Sequence, residues 1–280
     1  MKKIHIVTDC TSDLTKELIE KNQITVVPLY VTFGTESYRD GIDITTEDLY
    51  KKVEEYQKLP KTSAIPPAQF IETFAQFSPE DDVIFIGIGS NFSGTYQNAV
   101  LASAEFENVY VIDSQNLSSG TGLLLLKIAK LRDEGLEVAQ IIEKINEYIP
   151  LVRTQFAINT LEYLHMGGRC SGTTKFFGTM LKIKPIIRVI NGVMEVTKKP
   201  RGKFTAALDA ILDYVRDDAN NIDLDNVFIT HSLAKEDADY LKNELQEIIK
   251  PNNLIFSTAS GVISTHCGPR TIGILYIVNK

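Results

Sequence analysis

Two runs in the first half of the chain, Val83-Ile84-Phe85-Ile86-Gly87-Ile88 and Val109-Tyr110-Val111-Ile112, are apolar at successive rather than alternate positions. A strand with that pattern is buried on both faces, which is the condition of a strand in a parallel sheet covered by helices. Ile4-His5-Ile6-Val7 reads the same way, and residues 24–31 read as a further strand. Helical patterns fall between these runs. One covers 13–21 behind Ser12, one covers 47–57 behind Thr45 or Thr46, and one covers 67–77 with Pro67 in its first turn. Others cover 94–104, 119–133 and 137–149. The alternation of strand and helix predicts an α/β domain built on a parallel sheet, with helices on both faces.

After about residue 155 the texture changes. Strand-like segments at 183–190, 193–198, 225–230, 254–259 and 272–278 accompany two long amphipathic helices near 203–217 and 235–249. Asn191-Gly192, between the first two of these strands, is a strong two-residue hairpin signal. The second half therefore reads as an α+β domain with a mixed or antiparallel sheet. A chain of 280 residues suits two domains, here placed at 1–155 and 156–280.

Charge and special residues narrow the function. The net charge is 29 − 36 = −7, with no basic stripe, so nucleic acid is a poor partner. Cys10, Cys170 and Cys267 lie far apart and form no CxxC pair, and no acidic cluster has ligand spacing. Neither a metal site nor a disulfide framework is indicated, and the cysteines read as small buried fillers. The lysines at the start are not followed by the apolar stretch of a signal peptide, and the longest apolar run is Leu123-Leu124-Leu125-Leu126. A cytoplasmic setting is expected.

Four loops at strand or helix ends are candidates for chemistry, since ligands bind at the carboxyl ends of strands in open parallel sheets. Gly89-Ser90-Asn91-Phe92-Ser93-Gly94-Thr95 has phosphate-loop spacing but Thr95 stands where the lysine belongs, which excludes a nucleoside triphosphate. What remains is a helix start with hydroxyls, suited to a carboxylate or a phosphate monoester, or simply capped by Ser93. Lys61-Thr62-Ser63-Ala64-Ile65-Pro66-Pro67 offers two hydroxyls, or a plain helix cap. His165-Met166-Gly167-Gly168-Arg169 offers close backbone approach and an anion partner, or a helix C-cap with a solvated arginine. Thr265-His266-Cys267-Gly268-Pro269-Arg270 places a titratable ring before a turn, or a structural histidine. His5 and His231 read as structural.

Taken in order, these pieces resemble the DegV family of bacterial proteins. The resemblance spans essentially the whole chain. It rests on Thr8-Asp9-Cys10-Thr11-Ser12-Asp13-Leu14, Thr62-Ser63, Ser93-Gly94-Thr95-Tyr96-Gln97 and Val111-Ile112-Asp113-Ser114. It continues through Gly167-Gly168-Arg169, Ile183-Lys184-Pro185-Ile186, Lys199-Pro200-Arg201 and His266-Cys267-Gly268-Pro269. The resemblance implies a two-domain DegV-like fold that binds one long-chain fatty acid, such as palmitate, stearate or oleate, without a cofactor. It implies that the chain is not itself an enzyme but the lipid-binding subunit of a fatty acid kinase. A separate ATP-binding subunit would convert the carboxylate to an acyl phosphate for phospholipid synthesis, and transient membrane contact is compatible with that role. By the same resemblance, Thr62, Ser63, Ser93 and His266 hold the carboxylate, while Arg169 and Arg201 support the acyl phosphate or the kinase surface.

Met166, Phe176, Phe177, Met180, Leu181 and Ile187 are candidates for the tail pocket of the second domain; ordinary core is the other reading. The sequence departs from the family pattern at Cys10, Pro67, Gly89 and Arg270. A competing expectation is a self-sufficient acyl hydrolase using Ser93 and His266. It lacks a G-x-S-x-G elbow, since Asn91 stands two residues before Ser93, and no acid is evident to orient the histidine.

Overall fold

Consecutive apolar positions do build a parallel sheet. The computed structural model describes residues 2–169 and 183–280. Strand β1 (Ile4–Asp9) runs into a 3-10 turn (Cys10–Ser12), then helix α1 (Lys16–Lys21) and strand β2 (Ile24–Val27). Ser12 lies inside the turn and Asp13 leaves it in the left-handed region, so α1 starts later than the pattern predicts. Its cap is Thr15, whose hydroxyl accepts the Leu18 N–H.

The strand expected over 24–31 breaks at Pro28, which has no N–H to give to a ladder. The continuation, β3 (Tyr30–Phe33), forms a separate antiparallel sheet with β4 (Glu36–Arg39) and, beyond α2 (Thr46–Tyr56), with β5 (Lys61–Ser63). Helix α3 (Pro67–Phe74), β6 (Asp82–Gly87), α4 (Thr95–Ser103) and β7 (Val109–Asp113) follow. The order β2-β1-β6-β7 is parallel throughout. Val7, Val83 and Phe85 pack toward α3 and α4. Ile6, Ile84 and Ile86 pack the other way, toward α5 (Ser119–Asp133) and α6 (Val138–Tyr148).

The second sheet is built from β8 (Val152–Ala157), β9 (Ile186–Ile190), β10 (Val193–Lys198), β11 (Asn226–Ser232), β12 (Asn253–Thr258) and β13 (Thr271–Ile277). Its order is β10-β9-β8-β13-β11-β12, with β11–β12 parallel and the other pairs antiparallel. β8 crosses residue 155, so the sheet begins at Val152. Asn191 and Gly192 both have positive φ, as a two-residue hairpin turn demands. Helix α7 (Glu162–Gly167) precedes the hairpin, and α8 (Thr205–Asp218), α9 (Lys235–Ile248) and α10 (Gly261–Cys267) follow it, with β13 after α10.

The four leucines at 123–126 explain how the halves meet. They are all buried in α5, which lies between the sheets, and one continuous core holds Ile84 and Leu124 together with Phe228, Leu275 and Ile277. A helix that is apolar all round is stable only when covered all round. The six-stranded sheet then splits by parity. Ile229, Ile272, Ile274 and Tyr276 pack with α8 and α9. Their neighbours along the strands, Thr230, Thr271, Gly273 and Leu275, face the opposite way.

Candidate functional site

That inward face is made of small and hydroxyl-bearing residues. Register places Phe156, Gly273 and Thr230 side by side across three strands, with Thr154, Leu275 and Phe228 in a parallel row. Gly273 contributes no side chain and Thr230 a short one, so the face does not fill the space in front of it. A cavity results, whose lining atoms enclose about 960 Å³ of space, part of it open to solvent. Ile88, Phe92, Phe156, Met194 and Leu275 make its wall largely apolar. An apolar lining with a few polar groups gathered at one end is that of a small-molecule site.

One end of the cavity meets solvent, because Ser63, Gly94 and Arg169 line it and are exposed. Thr62 and Ser63 arrive there on β5, Ser93 on the β6–α4 loop and His266 at the end of α10. The Thr62 hydroxyl and His266 Nε2 share a hydrogen bond of 2.9 Å. Burial, and after it the nearby Arg169 charge, push the imidazole pKa down to about 4, so the ring is neutral at pH 7. Its Nδ1 has no hydrogen-bond partner among the described residues. A Cβ at Gly167 would lie 2.2 Å from that nitrogen, so glycine is what allows α7 to close over the ring.

The β6–α4 loop is pinned at its start. Ser90 donates from its N–H and its hydroxyl to Asp113, at 3.0 and 2.6 Å. Ser93 is not the N-cap of α4, a position taken by Gly94. Its oxygen accepts the Thr95 N–H at 3.2 Å and pairs with the Thr95 hydroxyl at 2.9 Å. This leaves Ser93 beside the cavity with both donor and acceptor capacity.

The remaining expected site residues scatter. Arg169 lines the open end, with its guanidinium donating to the Gly167 carbonyl at 2.6 Å. Gly168 ends α7 in the left-handed region, so the paired glycines also serve as a helix stop. Arg201 is exposed, bridges Ile183 through its backbone, and does not line the cavity. Met166 is 61% exposed and also stands outside the lining. Ile187 is buried behind the wall, in one cluster with Phe156 and Met194. Phe176, Phe177, Met180 and Leu181 lie outside the described residues.

Sequence reasoning missed a set of buried carboxylates. Asp9 accepts the Thr11 and Ile88 N–H groups at 2.9 and 2.8 Å. Asp13 accepts the Ser118 hydroxyl and the Ser260 N–H. Asp40 accepts the Gly261 and Val262 N–H groups, each at 2.8 Å. Burial raises the pKa of all three, that of Asp13 to about 7. Burial likewise pushes the thiols of Cys10 and Cys267 up, Cys267 to about 12, which keeps both protonated and unreactive. Among the described residues no group of three or more such side chains is arranged to hold a metal ion. Nor is any described helix long and apolar enough to cross a membrane.

Known proteins resemble this arrangement over the full chain. The family model described as "Uncharacterised protein, DegV family" matches residues 3–279. A DegV domain-containing protein of Caldanaerobacter subterraneus is 36% identical over 279 residues, 99% of either chain. A DegV family protein from Thermus thermophilus, solved in a study of its fatty acid binding, superposes with a TM-score of 0.93 at 30% identity, covering 99% of this chain and 100% of that one. DegV of Bacillus subtilis, described as a fatty acid binding protein, superposes at 0.88 with 29% identity and covers 100% of both chains. A stearic acid-binding protein of Eubacterium ventriosum gives 0.87 at 28% identity, covering 99% and 98%. From its first strand to its last, this chain belongs to the DegV family.

Proposed function

We propose that this protein binds a long-chain fatty acid, with the tail in the cavity and the carboxylate at Thr62, Ser63, Ser93 and His266. It presents that carboxylate to a separate ATP-dependent kinase for conversion to an acyl phosphate. The observation that carries the reading is a largely apolar cavity whose solvent end is set with hydroxyls and a neutral imidazole. The fatty acid binding described for the Thermus, Bacillus and Eubacterium proteins supports it.

The energetics fit a carrier. Burying about fourteen methylenes at ~0.8 kcal/mol each gives roughly 11 kcal/mol as an upper bound. Lost freedom of ligand and protein takes back several kcal/mol. The tail thus supplies affinity, and the head group supplies orientation. A carboxylate withdrawn from water needs donors, which two or three hydroxyls and one ring nitrogen provide. Phe92, Phe156, Met194 and Leu275 form the tail wall in this reading, with Ile187 behind them. Arg169, exposed at the mouth, is placed to meet a phosphoryl group, and Arg201, away from the cavity, suits a docking surface.

Mass spectrometry of the denatured protein, purified from a bacterial host, is expected to find fatty acid. Its absence, with no uptake of added palmitate or oleate, overturns the proposal. Thr62→Ala and Ser93→Ala are expected to lower phosphorylation of bound ligand by about tenfold or more while tail-driven binding partly survives. Unchanged turnover in both removes their assigned roles. The hydrolase reading finds less support, since His266 Nδ1 meets Gly167 where a triad needs a carboxylate. Steady turnover of activated acyl esters by the chain alone would revive it.

A further inference from the structure

Helix α10 is held at both ends by one small sheet. Asp40 directly follows β4, and its carboxylate takes the N–H groups of Gly261 and Val262, the first two residues of the helix, at 2.8 Å each. Thr62, on β5, takes the other end through the 2.9 Å bond to His266. β3 ties these grips together: Tyr30 pairs with Arg39 on one side and Ser63 on the other. The Asp40 N–H is itself bonded to the Leu29 carbonyl at 2.9 Å. Asp40 is 2% exposed, and the Cys10 thiol, at 3.6 Å, and the Ser260 side chain also bond to it.

Gly261 and His266 lie five residues apart, roughly 7.5 Å along a helix that rises 1.5 Å per residue. A hydrogen-bonded helix shifts or turns as a unit, so the seat of its first turn decides where its last side chain stands. We infer that Asp40 is a positioning residue for head-group recognition: acting through α10, it sets the contact between His266 and Thr62. This assignment rests on the fatty-acid reading above. Other contacts keep the helix in place when Asp40 changes. The Thr46 hydroxyl donates to the Ala259 carbonyl at 2.6 Å, the Tyr50 hydroxyl to the Ser264 carbonyl at 3.1 Å, and Asp13 accepts the Ser260 N–H at 2.8 Å. Losing Asp40 therefore loosens the seat of α10 rather than removing the helix.

Asp40→Asn keeps the size of the side chain but turns an amide group toward a backbone N–H. Affinity for palmitate is expected to fall about tenfold, the size of one hydrogen bond to a charged group. Affinity for hexadecanol, which has the same tail and no carboxylate, should stay within about twofold. In ligand-free protein the ring resonances of His266 should move as they do in Thr62→Val, which breaks the same contact directly. Equal loss of both ligands would make Asp40 merely structural and overturn the inference, as would no loss of either. If Asp40→Asn does not fold, Gly261→Ala serves in its place, because its Cβ would lie 2.7 Å from the Asp40 carboxylate. The same loss of acid over alcohol is expected of it. Wild-type protein that takes up neither ligand would overturn the fatty-acid reading, while the His266 resonances would still decide the role of Asp40.

Discussion

The two faces of the six-stranded sheet share the same strands and have opposite fates. On the outward face Ile229, Ile272, Ile274 and Tyr276 are fully buried against α8 and α9. On the inward face Thr230, Gly273 and Thr154 are shielded from solvent too, yet they border a cavity. The difference is one of volume, not of secondary structure or exposure. Large branched side chains at one parity interdigitate with helices, and short ones at the other leave room that no helix fills. A strand of period two can thus be core on one side and binding wall on the other at no cost in backbone pairing.

Substitutions can break that comparison. Ile274→Ala should have the largest effect on stability, about 2–5 kcal/mol by denaturant titration, with the profile of bound acyl chains unchanged. A negligible loss of stability would mean that the outward face is not the core it is taken for. Thr230→Leu should act mainly on binding: it adds bulk to the inward face and abolishes fatty acid uptake, while stability falls by about 1–3 kcal/mol because the buried Ser119 hydroxyl loses its 2.6 Å partner. Retained uptake would mean that the tail runs elsewhere.

The comparison also sharpens through pH, since His266 lines the cavity and Asp13 stands behind it, bonded to the lining residue Ser118. Asp13 is raised from 3.8 to about 7, so between those values the folded state holds a proton that the unfolded chain releases. Its stabilising contribution is therefore full in acid and is lost as pH rises toward about 7. Stability of the wild type relative to Asp13→Asn should decline over that window. His266 has the opposite sign, because its ring is lowered from 6.5 to about 4. Relative to His266→Gln, the wild type should lose stability as pH falls across that range. Thermal melts of both variants across pH 4 to 7 check the pair, and parallel curves would show that neither group titrates as described.

Local pattern and tertiary contact contributed differently to what was legible. The run from Val83 to Ile88 and the leucines of α5 announce elements covered on all sides, because burial on both faces leaves nothing polar in the string. Asn191-Gly192 announces its hairpin by backbone preference alone. Pro28 is a break legible in the string, and it sends β3 to a sheet the alternation does not suggest. The short helices α7 and α10 are too brief to show a period. Thr62 and His266 enter one candidate carboxylate site, with Ser63 and Ser93, only through a family resemblance, and they stand in hydrogen-bond contact 204 positions apart. Asp40, 221 positions from the Gly261 N–H it accepts, gave no such hint.

By itself, then, the amino-acid order determined the kinds of elements and the mixed α/β class, because periodicity, caps and turn residues act over a few neighbours. Only the folded arrangement decided where the cavity lies and which groups meet at its mouth. A void is the volume that several strands and helices together fail to fill, and it comes into being only when strand register sets Thr154, Gly273 and Thr230 near one another.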